Sequence, residues 1–500
     1  TITDTAVSFD AQWVFYSLMY DGLNPKGADI YKVNVNTKEI VRLTYQEQTA
    51  NRATVPMPSW KIHNLGPFPL PGGRLVFTSD RNTYEATNPG YAQNALALQV
   101  CTMNDDGTNP TCAPGSLNLG SALHPFTLKD GRVCFSTLES QGIRSHHLWG
   151  VWCMNPDGSN WSPVLSAYEI GGGTAESHHF QTQLSDGRIV VENYYNINNR
   201  GMGSLWAFPL QIPEPFEPVG ESRGFGPAYK GDPRNPWLRH GRHPDGRPIN
   251  YKLPFSPYNL HTLTPFTVKS DNPAQLANIS DDPDTGARTG KFTHPSGGPD
   301  NHLLVAYSPG SVASHARYQP PLDAGLYLIK NGQPIDEPGQ MRLIKNDPAF
   351  HEIWPRALVP YKRIYGVDEP TILPDLPNDG GVSAFLPEGT PFSVFGTSSL
   401  YKRESYPYGA VPLDGVTATS PTNNPVGDFQ QQSHWVVQGA DAGVYENKDI
   451  HAIRFVHLEP TSETGSRGFY NHARERMRIL GEIPVRKFDT GTQPLDPDGN

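Results

Sequence analysis

A short pattern that returns at nearly constant spacing constrains this chain more than anything else in it. It reads Ser8-Phe9-Asp10-Ala11-Gln12-Trp13-Val14-Phe15, then Leu70-Pro71-Gly72-Gly73-Arg74-Leu75-Val76-Phe77. It reads again as Leu128-Lys129-Asp130-Gly131-Arg132-Val133-Cys134-Phe135 and as Leu184-Ser185-Asp186-Gly187-Arg188-Ile189-Val190-Val191. Gly73 and Gly131 are 58 positions apart, and Gly131 and Gly187 are 56 apart. Each copy reads as a turn, an apolar strand, a variable loop and a second strand such as Val100-Cys101-Thr102-Met103. An Asp-Gly turn such as Asp106-Gly107 or Asp157-Gly158 then leads to an outer strand. A sheet of that size cannot bury both faces alone, whereas sheets stacked radially around a channel bury one another. Weaker fifth and sixth copies lie at His302–Tyr307 with Ala324–Ile329, and around Glu352–Leu358. The expected fold is all-β, a six-bladed β-propeller.

Composition agrees. Gly and Pro contribute 48 and 49 of the 500 residues, 18% are charged, and no window has the period of a long amphipathic helix. A net charge of −10 argues against general nucleic-acid binding, and no apolar run reaches the roughly 18 residues of a membrane-spanning helix. Thr1 opens without a charged, apolar leader, as expected of a chain whose signal peptide has been removed. Cys101 and Cys112 are equidistant from the Asp106-Gly107 turn and should face each other across a hairpin; Cys134 and Cys153 fall on neighbouring strands of the next blade. Two disulfides, Cys101 to Cys112 and Cys134 to Cys153, and an oxidising compartment, periplasmic or secreted, are expected; four inert buried thiols are the alternative.

The repeat resembles the TolB-like propeller unit of periplasmic and secreted proteins over residues 1 to about 360. That resemblance implies a fold and no particular activity. Residues 1–447 are read as the propeller, interrupted by insertions at about 213–290 and 370–447. Residues 448–500 are read as the opening of a second, β-rich domain. Its strands should be Ile450-His451-Ala452-Ile453-Arg454-Phe455-Val456-His457 and Ile479-Leu480-Gly481-Glu482-Ile483-Pro484-Val485.

The second of those regions carries a narrower resemblance. Asp449-Ile450-His451-Ala452-Ile453-Arg454, Asn471-His472-Ala473-Arg474-Glu475-Arg476 and the run to Val485 look like the family of the hydrazine synthase α subunit. So does His351-Glu352-Ile353-Trp354-Pro355-Arg356. The resemblance implies a propeller followed by a domain that carries c-type haem. The family's Cys-x-x-Cys-His attachment motif is missing from these 500 residues, so haem is expected beyond residue 500 or on a partner, and no ligand residue carries over.

Histidines recur near the start of successive blades, at His63, His124, His178, His179, His294 and His351. Radial repetition should gather His124, His179 and His351 on one side of the channel, as metal ligands or as hydrogen-bonding groups. In the first insertion, Arg223, Arg234, Trp237, Arg239, Arg242 and Arg247 form a basic, aromatic set suited to docking an acidic or haem-bearing partner. Asp281-Asp282-Pro283-Asp284 and Asp496-Pro497-Asp498-Gly499-Asn500 are oxygen-rich and could hold calcium. Three functions fit: a propeller domain of an extracytoplasmic redox assembly, a non-catalytic scaffold, or a metal-dependent enzyme at the channel mouth.

Overall fold

A computed structural model describes residues 1–20, 27–48, 62–82, 98–112, 121–138, 149–159, 162–165, 177–193, 201–210, 261–267, 290–309 and 323–371. It also describes 378–381, 387–392 and the short strands 412–413, 416–417, 452–458 and 477–484. These residues build a β-propeller arrangement of five four-stranded antiparallel sheets, each a simple meander.

Blade one is β1 (Ile2–Val7), β2 (Trp13–Met19), β3 (Ala28–Asn34) and β4 (Ile40–Arg42). Blade two is β5 (Asn64–Leu70), β6 (Arg74–Ser79), β7 (Gln99–Asn104) and β8 (Thr111–Cys112). Blade three is β9 (Ala122–Thr127), β10 (Val133–Leu138), β11 (Trp149–Met154) and β12 (Ser162–Leu165). Blade four is β13 (His178–Gln183), β14 (Arg188–Asn193), β15 (Ser204–Pro209) and β16 (His261–Thr262). Blade five is β17 (Lys291–Gly297), β18 (Leu303–Ser308), β19 (Gly325–Ile329) and β20 (Arg342–Lys345). The repeated glycines sit at the first turn of their blades with φ of 69°, 85° and 92° at Gly73, Gly131 and Gly187, a region that costs L-residues dearly.

The core lies between blades. Phe15 and Ile30 of the first meet Phe77 and Met103 of the second. Val76 and Val100 meet Val133 and Phe135, Cys134 and Val151 meet Ile189 and Trp206, and Val190 and Leu205 meet Phe292 and Val305. Both expected disulfides are present. Cys101 and Cys112 are register partners on β7 and β8, and Cys134 and Cys153 on β10 and β11. Three of the four sulfur-bearing residues are fully buried in these cores.

Two expectations need correction. The sixth copy is not a four-stranded sheet among the described residues: Glu352–Leu358 is irregular. It bridges blade five to blade one, with Glu352 N–H donating to Ala324 O (2.9 Å) and Thr5 Oγ1 donating to Trp354 O (2.6 Å). Pro355 and Pro360 lack the N–H that a ladder needs, and the chain turns into a short helix, α1 (Tyr361–Tyr365), instead of a hairpin. The first insertion is also not wholly outside the blades. His261 and Thr262 return to pair with Ala207 and Trp206 as the outer strand of blade four. The excursion therefore begins after β15, inside a blade.

In the later region Pro412–Leu413 pairs with Val416–Thr417 as β21 and β22. Ala452–Leu458 and Met477–Pro484 form an antiparallel pair, β23 and β24, where the sequence placed two strands. No helix among the described residues is long and apolar enough to cross a membrane.

Candidate functional site

Each innermost strand breaks its ladder at the same place. Register shifts fall between Thr3 and Ala6, Leu65 and Phe68, His179 and Thr182, and Thr293 and Ser296, with the matching shift on β9 between Leu123 and Phe126. At these shifts Asp4, Gly66, His124, Phe180 and His294 have φ of 55°, 64°, 54°, 53° and 50°. Trp354, in the bridging segment, has φ of 55°. Such a bulge re-aims side chains, and a left-handed non-glycine residue costs ~1–2 kcal/mol that surrounding contacts must offset. Here the contacts are aromatic. Ring centroids lie 4.2 Å apart for His124 and Phe180, 4.3 Å for Phe180 and His294, and 4.0 Å for His294 and Trp354.

The channel-lining cleft beside this cluster, about 340 Å³, is bounded by Asp4, Gly66, His124, Phe180, Trp354 and Arg356, among others. His124 Nδ1 stands 3.6 Å from Asp4 Oδ1, its backbone oxygen accepts from Gln181 Nε2, and its ring meets His179 edge-on at 5.5 Å. His179 Nε2 is 3.0 Å from Ser177 Oγ. Burial holds the His179 and His294 imidazoles well below the usual histidine range, with the neighbouring His124 adding to it, so both are neutral at pH 7. Behind them, burial pushes the Glu192 carboxyl well above the usual carboxylate range, against the pull of the Thr293 hydroxyl and the His294 N–H.

The other end of the channel is filled by the chain itself. Arg356 Nε donates to Thr5 O (2.7 Å), Tyr361 N–H to Phe9 O (2.8 Å), and Tyr365 Oη to Gln183 O (2.8 Å). Tyr361 meets Phe9 edge-on at 5.0 Å and packs at a tilt on Tyr365 at 4.3 Å, and Arg363 makes a two-pronged exposed pair with Asp300. A second cleft, about 470 Å³, lies between this plug and the inner strands, with Arg356 lining both.

Of the three histidines expected together, the structure joins His124 and His179; His351 is exposed, and His294 takes the place foreseen for it. The reason is register. Gly66, His124 and Phe180 are spaced by 58 and 56 residues, as are the turn glycines, whereas His63 and His351 each stand three residues ahead of a channel position. His63 accordingly turns to Asp80, Nδ1 to Oδ2 at 2.9 Å. No group of three or more His, Cys, Asp or Glu side chains is arranged to hold a metal ion among the described residues. Sequence reasoning overlooked Phe180, Trp354 and Arg356. For Trp354 the signal was there in the x-Pro pairs Gly66-Pro67, His124-Pro125, His294-Pro295 and Trp354-Pro355. The docking set Arg223, Arg234, Trp237, Arg239, Arg242 and Arg247, and both calcium candidates, lie outside the described residues.

No family model and no curated protein matches this chain. Among solved structures, hydrazine synthase of Kuenenia stuttgartiensis is similar at 14% identity and a TM-score of 0.40, over 73% of this chain and 41% of that one. This chain thus spans under half the length of that relative. A putative TolB from Agrobacterium tumefaciens matches at 18% identity and a TM-score of 0.24, over 33% of this chain and 48% of that one. A TolB from Acinetobacter baumannii matches at 12% and 0.27, over 41% and 40%.

Proposed function

We propose that this chain is a docking propeller of an extracytoplasmic redox assembly, with c-type haem held by a further domain or a partner. One observation carries the reading: all four cysteines are consumed in two cross-strand disulfides between register partners. Such bridges persist in oxidising compartments, and they leave no thiol in these 500 residues to attach a haem. The resemblance of residues 449–485 to the hydrazine synthase α family supplies the redox part. The self-filled channel suits a propeller that works through its outer surfaces.

Capture of the tagged chain from the extracytoplasmic fraction of its native host tests the reading. Reduced-minus-oxidised spectra and haem-stained gels should show c-type haem, stoichiometric with the complex, in a polypeptide or segment outside residues 1–500. A stable complex without haem would leave the non-catalytic scaffold as the function.

A further inference from the structure

Among the described residues, one cation of the channel, Arg356, has no ion-pair partner. Arg356 lies deep in the propeller, partly open to the two clefts that it lines. Its Nε and Nη1 donate to the carbonyls of Thr5 and Pro355 (2.7 and 3.1 Å), and its Nη2 has no hydrogen bond to a described residue. No carboxylate of the described residues comes within ion-pairing distance of it. Desolvation pulls its pKa down to about 10, against the opposing effects of Tyr365 and of Asp4, which lines the smaller cleft with it. It is therefore a full cation at neutral pH, in a place where an unpaired charge is costly.

The plug adds a second unspent donor. Tyr361 is 8% exposed, and its phenol oxygen has no hydrogen-bond partner among the described residues. Its partner in the ring stack, Tyr365, spends its own proton on Gln183 O. Both line the larger cleft with Arg356, and its walls combine apolar Val7, Phe68, Phe126, Val359 and Ile364 with the hydroxyl residues Ser8, Thr182 and Ser296.

We propose that the half of the channel between Arg356 and Tyr361 binds a small organic carboxylate with a short apolar body. One carboxylate oxygen takes the free guanidinium N–H and the other takes the Tyr361 hydroxyl, which supplies both missing partners at once. A neutral alcohol of the same shape would leave the guanidinium uncompensated. The inference is independent of the redox reading, because it uses only residues of the propeller and its plug.

Titration calorimetry of the full chain with benzoate tests it, with benzyl alcohol as the neutral isostere. Benzoate should bind one to one and benzyl alcohol should not. Tyr361→Phe removes one oxygen and keeps the ring stack, and should weaken benzoate about tenfold, as for a hydrogen bond to a charged group. Arg356→Gln should abolish binding. No heat with folded wild-type chain, equal binding of benzyl alcohol, or unchanged affinity in Tyr361→Phe would each overturn the proposal.

Discussion

The inner strand of blade five and the segment around Trp354 begin alike and end differently. Both place an aromatic residue in the left-handed region, His294 at 50° and Trp354 at 55°, and follow it with proline. Their rings stack at 4.0 Å. After Pro295 the chain reaches Gly297, Gly298 and a tight turn at Pro299–Asn301, which returns it as β18. After Pro355 it meets no such turn; Pro360 precedes α1, and the chain stays in the channel. The residue that faces the channel does not decide whether a blade forms. A turn a few residues later, able to supply a hydrogen-bonding neighbour, decides it.

If the blades are one cooperative ring and the plug an addition to it, core and plug substitutions should separate. Trp206→Ala should have the largest effect. Trp206 is fully buried between blades three and four and donates to Ser204 Oγ at 2.8 Å. Its loss should cost ~3–5 kcal/mol in urea unfolding of the main transition. The double change Cys134→Ala and Cys153→Ala, whose bond closes a separation of 19 residues, should cost ~3 kcal/mol. A loss no larger than that of a surface cysteine would mean that the ring does not need this staple. Trp354→Ala should cost less, ~2 kcal/mol, because Trp354 is only half-buried. Its signature is faster amide exchange over residues 352–366 with the blade strands still protected. Equal loss of protection in blades one and five would make the segment the closing element of the ring.

The smallest effect distinguishes the two by pH. Glu192 has a folded pKa above its unfolded value, so its penalty is absent below about pH 4.5 and grows as pH rises. Glu192→Gln should therefore raise the thermal midpoint at pH 7.5 and leave it unchanged near pH 4. The neutral His179 and His294 act oppositely, favouring the fold above their unfolded pKa and destabilising it as pH falls below about 6.5. A gain from Glu192→Gln that is the same at both pH values would show that the carboxyl is ionised in the folded protein.

What the sequence made legible follows the same division. The disulfides and blade turns were readable because hairpin symmetry and Asp-Gly or Gly-Gly turns are local, and local geometry is written in adjacent residues. The count of blades was not, since Glu352–Leu358 has the apolar character of a strand and only Pro355 and Pro360 show that it lacks donors. The channel site was half legible. Histidines drew attention, but two heights three residues apart were merged into one, so His351 displaced His294. Arg356 could not have been found from spacing, because its lack of an ion-pair partner among the described residues shows only in three dimensions.

The pairing of His261 with Ala207 has one more consequence. The two ends of the fifty-odd residues between them are held side by side at the outermost edge of a blade that is otherwise complete. Lengthening a loop whose ends are already fixed is cheap, ~0.6 kcal/mol for each doubling. This edge is thus where evolution can graft, exchange or remove whole segments while the ring beneath keeps its register. A protein engineer seeking a site to insert a reporter or a foreign domain would begin there.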